Sequence, residues 1–123
     1  MTTDAVDPQV DNPMSAEQRI AFCIEQLERA PRIVEKALEE YQEAKHAFDL
    51  KWARVADEAE GTELAKKRAA QLACVAERKE SDSKYKAYQY AKARTRALEK
   101  ELSGRQSVAN SVSNTYNNSG YRR

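Results

Sequence analysis

Glycine and proline are nearly missing from this chain of 123 residues, with three of each. Gly61 is the only glycine before residue 104, which excludes a fold of many short elements joined by tight turns. Two cysteines, Cys23 and Cys74, and one histidine, His46, are too few for a four-ligand Cys/His zinc site within one chain. No metal or other cofactor is expected. No apolar run approaches the roughly 20 residues needed to cross a bilayer. The opening MTTDAVDPQVDNP also lacks the basic and apolar blocks of a signal peptide. These absences point to the cytoplasm, away from any membrane. Charge of one sign is missing too: 33% of residues are charged, yet the net charge is +1, which excludes a uniformly basic nucleic-acid binder. Large core formers are scarce, Leu, Ile, Val and Phe numbering only 19. A self-sufficient core needs more, so burial is expected to continue into another copy, making a homo-oligomer.

What the chain has instead is helix-forming material. Ala, Glu, Lys, Leu and Arg supply 62 of the 123 residues, the composition of a coiled coil or long helix. Residues 1–14, with Asp4, Asp7, Asp11 and two prolines, read as a flexible acidic arm. Order is expected to start at SAEQ, where Ser15 can cap a helix and Gln18 can reach back to it. From there Ile20, Leu27, Val34, Tyr41, Phe48 and Val55 recur every seven residues. Ile24, Leu38, Trp52 and Ala59 each follow one of them by four, a coiled-coil seam. These six heptad positions form the expected oligomer interface. Pro31 interrupts the run, so the helix either kinks there or ends near Arg29 and restarts. Gly61 suits the left-handed residue after a helix, and Thr62 can cap the next one.

A second helix is expected from about Glu63 to Leu102, with a thinner stripe of Leu64, Leu72, Val75, Tyr85, Tyr88, Ala91, Thr95, Leu98 and Leu102. The fold class is therefore all-α: a long antiparallel helical hairpin, coiled-coil-like, over residues 15–102. Counting outward from Gly61 sets Leu98 and Leu102 near Ile24 and Ile20, and Tyr88 near Val34, while Tyr41 would face the polar Ser81. Along such a hairpin Cys23 and Cys74 lie beyond disulfide reach. Residues 103–123, rich in Ser and Asn, read as a partly disordered tail with one or two marginal turns at Val108, Val112 and Tyr116. Charge favours the pairing: residues 16–60 hold eleven acids and seven bases, residues 64–102 eleven bases and five acids.

No base and nucleophile, Gly-rich phosphate loop or uncompensated carboxylate pair occurs, so no catalysis and no small-molecule substrate are expected. The stretch YKAYQYAKARTRALEKELSG, Tyr85 to Gly104, carries the other signal. On a helix Tyr85 and Tyr88 share the apolar face, Lys92, Arg96 and Lys100 form a ridge along its edge, and Tyr90 points away, free to stack on a base. The ridge reads either as a solvated flank pairing with the acidic first helix or as a phosphate contact. Lys66 to Arg68, and Arg78 with Lys79, would extend the second reading.

The break AEGT at Ala59 to Thr62, the run KKRAAQLACVAERKES and the ending YAKARTRALEKELSGRQSVANSV resemble small alanine- and glutamate-rich helical proteins of bacteriophages that infect Gram-positive hosts. The resemblance covers most of residues 35–112. It implies an intracellular accessory role in phage DNA recombination or replication, in the host cytoplasm, and assigns no residue. The expected function is thus a non-enzymatic accessory protein that binds nucleic acid, single-stranded DNA foremost, through Tyr90, Lys92, Arg94, Arg96 and Lys100, assisted by Arg122 and Arg123. The rival readings are an adaptor or inhibitor of a host or phage protein that uses the heptad seam, and a virion assembly chaperone.

Overall fold

The computed structural model describes residues 15–121, with side chains described as far as Thr115. The acidic arm at 1–14 and the pair Arg122 and Arg123 lie outside the described residues. Three helices follow one another, α1 (Ala16–Glu58), α2 (Glu63–Ala73) and α3 (Val75–Tyr121), and no strand occurs among the described residues. The fold is all-α.

Each boundary has a local cause. At the start of α1 the Ser15 backbone N–H donates to Gln18 Oε1 at 3.0 Å and the Gln18 N–H donates to Ser15 Oγ at 3.2 Å. This reciprocal box satisfies two of the N–H groups a helix start leaves over. The connection after Glu58 turns at Gly61, whose φ of 109° is open to glycine and strained for other residues. Thr62 then caps α2, its Oγ1 accepting from the Ala65 N–H at 3.2 Å. Pro31 does not end α1. The helix runs through it, and Pro31 is exposed, so its ring sits on the solvent side while the heptad face carries on.

Two features depart from the sequence expectation. The second helix is divided at Cys74, which has φ −106° and ψ 19°. The Cys74 N–H still donates to Ala70 and the Arg78 N–H to the Cys74 carbonyl, so a single residue bends out of helical geometry while the bonds around it persist. The second departure is at Leu102, where the helix was expected to end. It continues through Ser103 and Gly104 to Tyr121. The face Leu98, Leu102, Arg105, Ala109, Val112 keeps alternating four- and three-residue steps across the serine and glycine. Arg105 also donates back one turn to Glu101 at 2.8 Å.

Packing divides the chain into two units: residues up to Arg29 with those from Thr95, and Ala30–Arg94. In the central unit, Ala30–Arg94, α1 pairs with α2 and the start of α3. Its buried residues are small: Ala30, Ala70, Cys74 and Ala91. Leu64, Leu72 and Val75, expected on the packed stripe, are instead exposed, Leu72 by 79%. Small side chains face the neighbouring helix there, and the larger ones are turned out to solvent.

Register corrects the count made from Gly61. The Tyr41 ring meets Tyr85 at 5.0 Å in a tilted pair and stacks on Tyr88 at 6.5 Å, so Tyr88 belongs to Tyr41 rather than Val34. Lys51 Nζ lies 3.1 Å from Glu77, and Lys84 Nζ lies 3.5 Å from Glu40. The segment ERKESDSK offers Tyr41 nothing apolar, and about one helical turn further on it finds two aromatic faces.

In the terminal unit, Cys23 and Leu98 are buried, with Ile20, Leu27 and Leu102 half-buried around them. Across both units all six seam residues, Ile20, Leu27, Val34, Tyr41, Phe48 and Val55, are half-buried within the chain itself. Among the described residues the largest fully buried side chains are the free thiols Cys23 and Cys74. The core is thin.

Partial burial scales down the cost of truncation. Phe48, a half-buried neighbour of the Trp52 ring at 5.8 Å, would lose about 3–5 kcal/mol on Phe48→Ala if fully buried. At half burial Phe48→Ala and Tyr41→Ala should each lose about 2 kcal/mol, with Tyr41→Phe close to wild type, as read by urea denaturation. Pro31→Ala should raise stability by up to about 3 kcal/mol, because it restores a helix-interior N–H. A melting temperature unchanged by Pro31→Ala would show that the helix gains nothing from that bond.

Candidate nucleic-acid interface

Within the central unit α3 has two opposed faces. Tyr85 and Tyr88 turn toward Tyr41. Tyr90, two residues past Tyr88, lies about 160° round the helix at roughly 100° per residue and is 67% exposed. Lys86 stands one turn before it and Arg94 one turn after, both exposed, and Lys79 falls on the same stripe two turns further back, also exposed. A solvent-facing aromatic ring thus sits in a row of cations at (i, i+4) spacing.

The ring and the flanking cations are not held elsewhere. Among the described residues no ion pair holds Lys79, Lys86 or Arg94, and none holds Arg96 or Lys100, which are exposed in the terminal unit. Lys84, two residues before Lys86, is different: Glu40 and Glu80 both approach it. Lys92 also differs from the expected ridge. Its Nζ lies 4.9 Å over the Tyr88 ring and the residue is half-buried, so this cation serves the aromatic cluster of its own unit. The expectation that the ridge pairs with the acidic first helix therefore fails at Lys92, Arg96 and Lys100. In two of the three cross-helix pairs, Arg19 with Glu101 and Lys51 with Glu77, the base is on α1 and the acid on α3. A surplus of acid on one helix sets an average attraction, whereas the register decides which side chains meet.

The terminal unit has its own electrostatic knot. Glu101 accepts from Arg19 through both carboxylate oxygens, Arg19 Nη2 at 2.8 Å, and from Arg105 Nε at 2.8 Å. The hydrogen bond from Arg19, then that from Arg105, holds the Glu101 carboxyl well below the usual range, at about 2. The same hydrogen bond raises the Arg19 guanidinium, which also lies 4.7 Å over the Phe22 ring. Arg105 is thereby engaged inside the fold and offers little to an outside anion.

Lys86 was missed by the sequence reading, although its position four residues before Tyr90 was the available signal. Among the described residues no group of three or more His, Cys, Asp or Glu side chains is placed to hold a metal ion, and no helix is long and apolar enough to cross a membrane. Compared with protein-family models, curated protein sequences and solved structures, the chain has no match. A functional reading therefore rests on the residues themselves.

Because the folded carboxyl of Glu101 titrates below its unfolded value, its contribution to stability is fully present above about pH 4.5 and is lost as pH falls toward 2. Wild type should exceed Glu101→Gln in stability at neutral pH, and the two should converge near pH 2. Curves that stay parallel across that window would remove the carboxylate from the acid response.

Proposed function

We propose that this chain binds single-stranded nucleic acid, without catalysis of its own, through the α3 stripe of Lys79, Lys86, Tyr90 and Arg94. The observation that carries the reading is the 67% exposed Tyr90 ring, set one helical turn from a cation on either side. An exposed ring offers a stacking platform to an unpaired base, worth about 1–3 kcal/mol per base. Cations one turn away on either side are within reach of the phosphates that flank such a base, and their binding releases counterions. A duplex presents its phosphates but keeps its bases stacked, so the aromatic element favours single strands. The exposed Arg96 and Lys100 of the terminal unit add phosphate contacts, and the terminal Arg122 and Arg123 were assigned the same role from sequence.

The resemblance to small phage helical proteins gives this binding a setting, an accessory step of DNA recombination or replication in the cytoplasm of a bacterial host. An adaptor that uses the heptad seam is less favoured, because Tyr41 at its middle is already packed against Tyr85 and Tyr88.

Fluorescence anisotropy with labelled single- and double-stranded oligonucleotides, at low and high salt, tests the proposal. Binding should favour the single strand and weaken steeply with salt. Tyr90→Ala should weaken single-strand binding by roughly 1–3 kcal/mol with little change in salt slope, whereas Lys86→Ala with Arg94→Ala should lower the slope by about two. No binding at low salt would overturn the reading.

A further inference from the structure

From Gln106 to Tyr121 sixteen consecutive residues carry no charge, in a chain where 33% of residues are charged. Elsewhere the longest uncharged run is the eight residues Ala69 to Ala76. This stretch is nonetheless helical throughout, although Ser, Asn, Thr, Val and Gly make up most of it and all are weaker helix formers than Ala. No (i, i+4) ion pair can support it, and the Thr115 hydroxyl donates to the Ser111 carbonyl at 3.0 Å, a contact that does little for a helix. A helix of this composition is not stable in water by propensity; it needs a packed face.

That face is visible in the terminal unit. Ala16, Ile20, Gly104, Val108, Ala109 and Val112 line a groove of about 650 Å³, and its outer wall is open, with Val108 and Val112 each 64% exposed. Val108 and Val112 lie one turn apart, and Ala109 and Ser113 beside them are small enough for another helix to come close.

We infer that the groove is covered by the same segment of a second copy of this chain, the two α3 ends running antiparallel about a two-fold axis. The absence of charge selects the occupant. An interface core is depleted of charged residues, and any partner helix with charges at ordinary spacing would bury some of them unpaired, at a cost. The equivalent stretch of a second copy is uncharged over the same sixteen residues. Antiparallel pairing about the midpoint of the two valines sets Val108 of each copy against Val112 of the other, the self-complementary pattern a two-fold interface requires. From Gly104 to Tyr121 the helix spans about 27 Å at 1.5 Å per residue, room for five turns of contact. This interface differs from the Ile20 to Val55 seam expected from sequence, and it does not depend on nucleic-acid binding.

Light scattering coupled to size exclusion, run on the full chain over a range of concentrations, should give twice the 14.0 kDa chain mass. Val108→Glu with Val112→Glu should return the mass to that of one chain and lower the helical circular dichroism, while the cooperative melt of the remainder persists. An otherwise wild-type chain carrying Ala109→Cys should form a covalent dimer on mild oxidation, and Ser83→Cys, on the central unit, should not. This second pair of variants holds if the glutamate variant fails to fold. A wild type that stays at one chain mass at the highest concentration, a dimer that survives both glutamates, or cross-linking through Ser83→Cys in preference to Ala109→Cys would overturn the inference.

Discussion

Everything in this structure depends on one constraint: a helix with a narrow apolar stripe must find another helix to cover it, and this chain has few large side chains with which to do so. The result is a set of half-buried contacts instead of a sealed core. In the central unit the substitutes are aromatic, Tyr41 set against Tyr85 and Tyr88, with Ala70 and Cys74 allowing close approach. In the terminal unit they are Leu98, Cys23 and the carboxylate of Glu101 clasped by two arginines. No large side chain among the described residues is fully buried. Stability is thus distributed over many partial contacts, each modest, and the edges of the stripe matter as much as its centre.

Local rules were legible in the sequence wherever the signal was a short pattern with a mechanism. Ser15 and Gln18, three residues apart, announced a capping box, and both of its hydrogen bonds are present. Gly61 and Thr62 announced a turn and a cap, and the positive φ and the Thr62 bond follow. The heptad run carried α1 through Pro31 because six apolar positions in phase outweigh one missing donor. Register was not legible, since it is settled by pairs of residues far apart in sequence. Counting from the turn assumes even spacing, and a polar stretch such as ERKESDSK lets the register move until aromatic faces meet. Nor does any residue type at Cys74 signal a departure from helical geometry.

The candidate interface was half legible for a related reason. Helical spacing alone separated Tyr90 from Tyr85 and Tyr88, and the exposure of Tyr90 agrees. Spacing could not show which cations were already engaged. Lys92 lies at the edge of the apolar stripe and turns onto Tyr88, whereas Lys86 lies on the Tyr90 side with no acid against it among the described residues. Net charge per helix predicted attraction between α1 and the later helices. Yet the bases that found acids across the pairing came mostly from α1, because a long side chain pairs only where the register delivers a partner of opposite sign. Bases left over by that geometry are what makes a surface of Lys86, Tyr90 and Arg94 possible on a chain whose charges nearly cancel.

The same scarcity of large apolar groups explains where a second chain is most needed. Along most of α1 the stripe is already half covered by its own chain, and a partner there would compete with contacts already made. Past Gly104 the balance changes: Val108 and Val112 remain largely open on a stretch that holds neither charges nor strong helix formers. Charged residues elsewhere keep exposed helix soluble and add (i, i+4) support; here that support is absent, so packing must supply it. A segment built this way is costly to leave in water and cheap to pair with its own copy. The helix at this end and the open groove beside it are therefore two expressions of one requirement, that the uncharged stretch be covered.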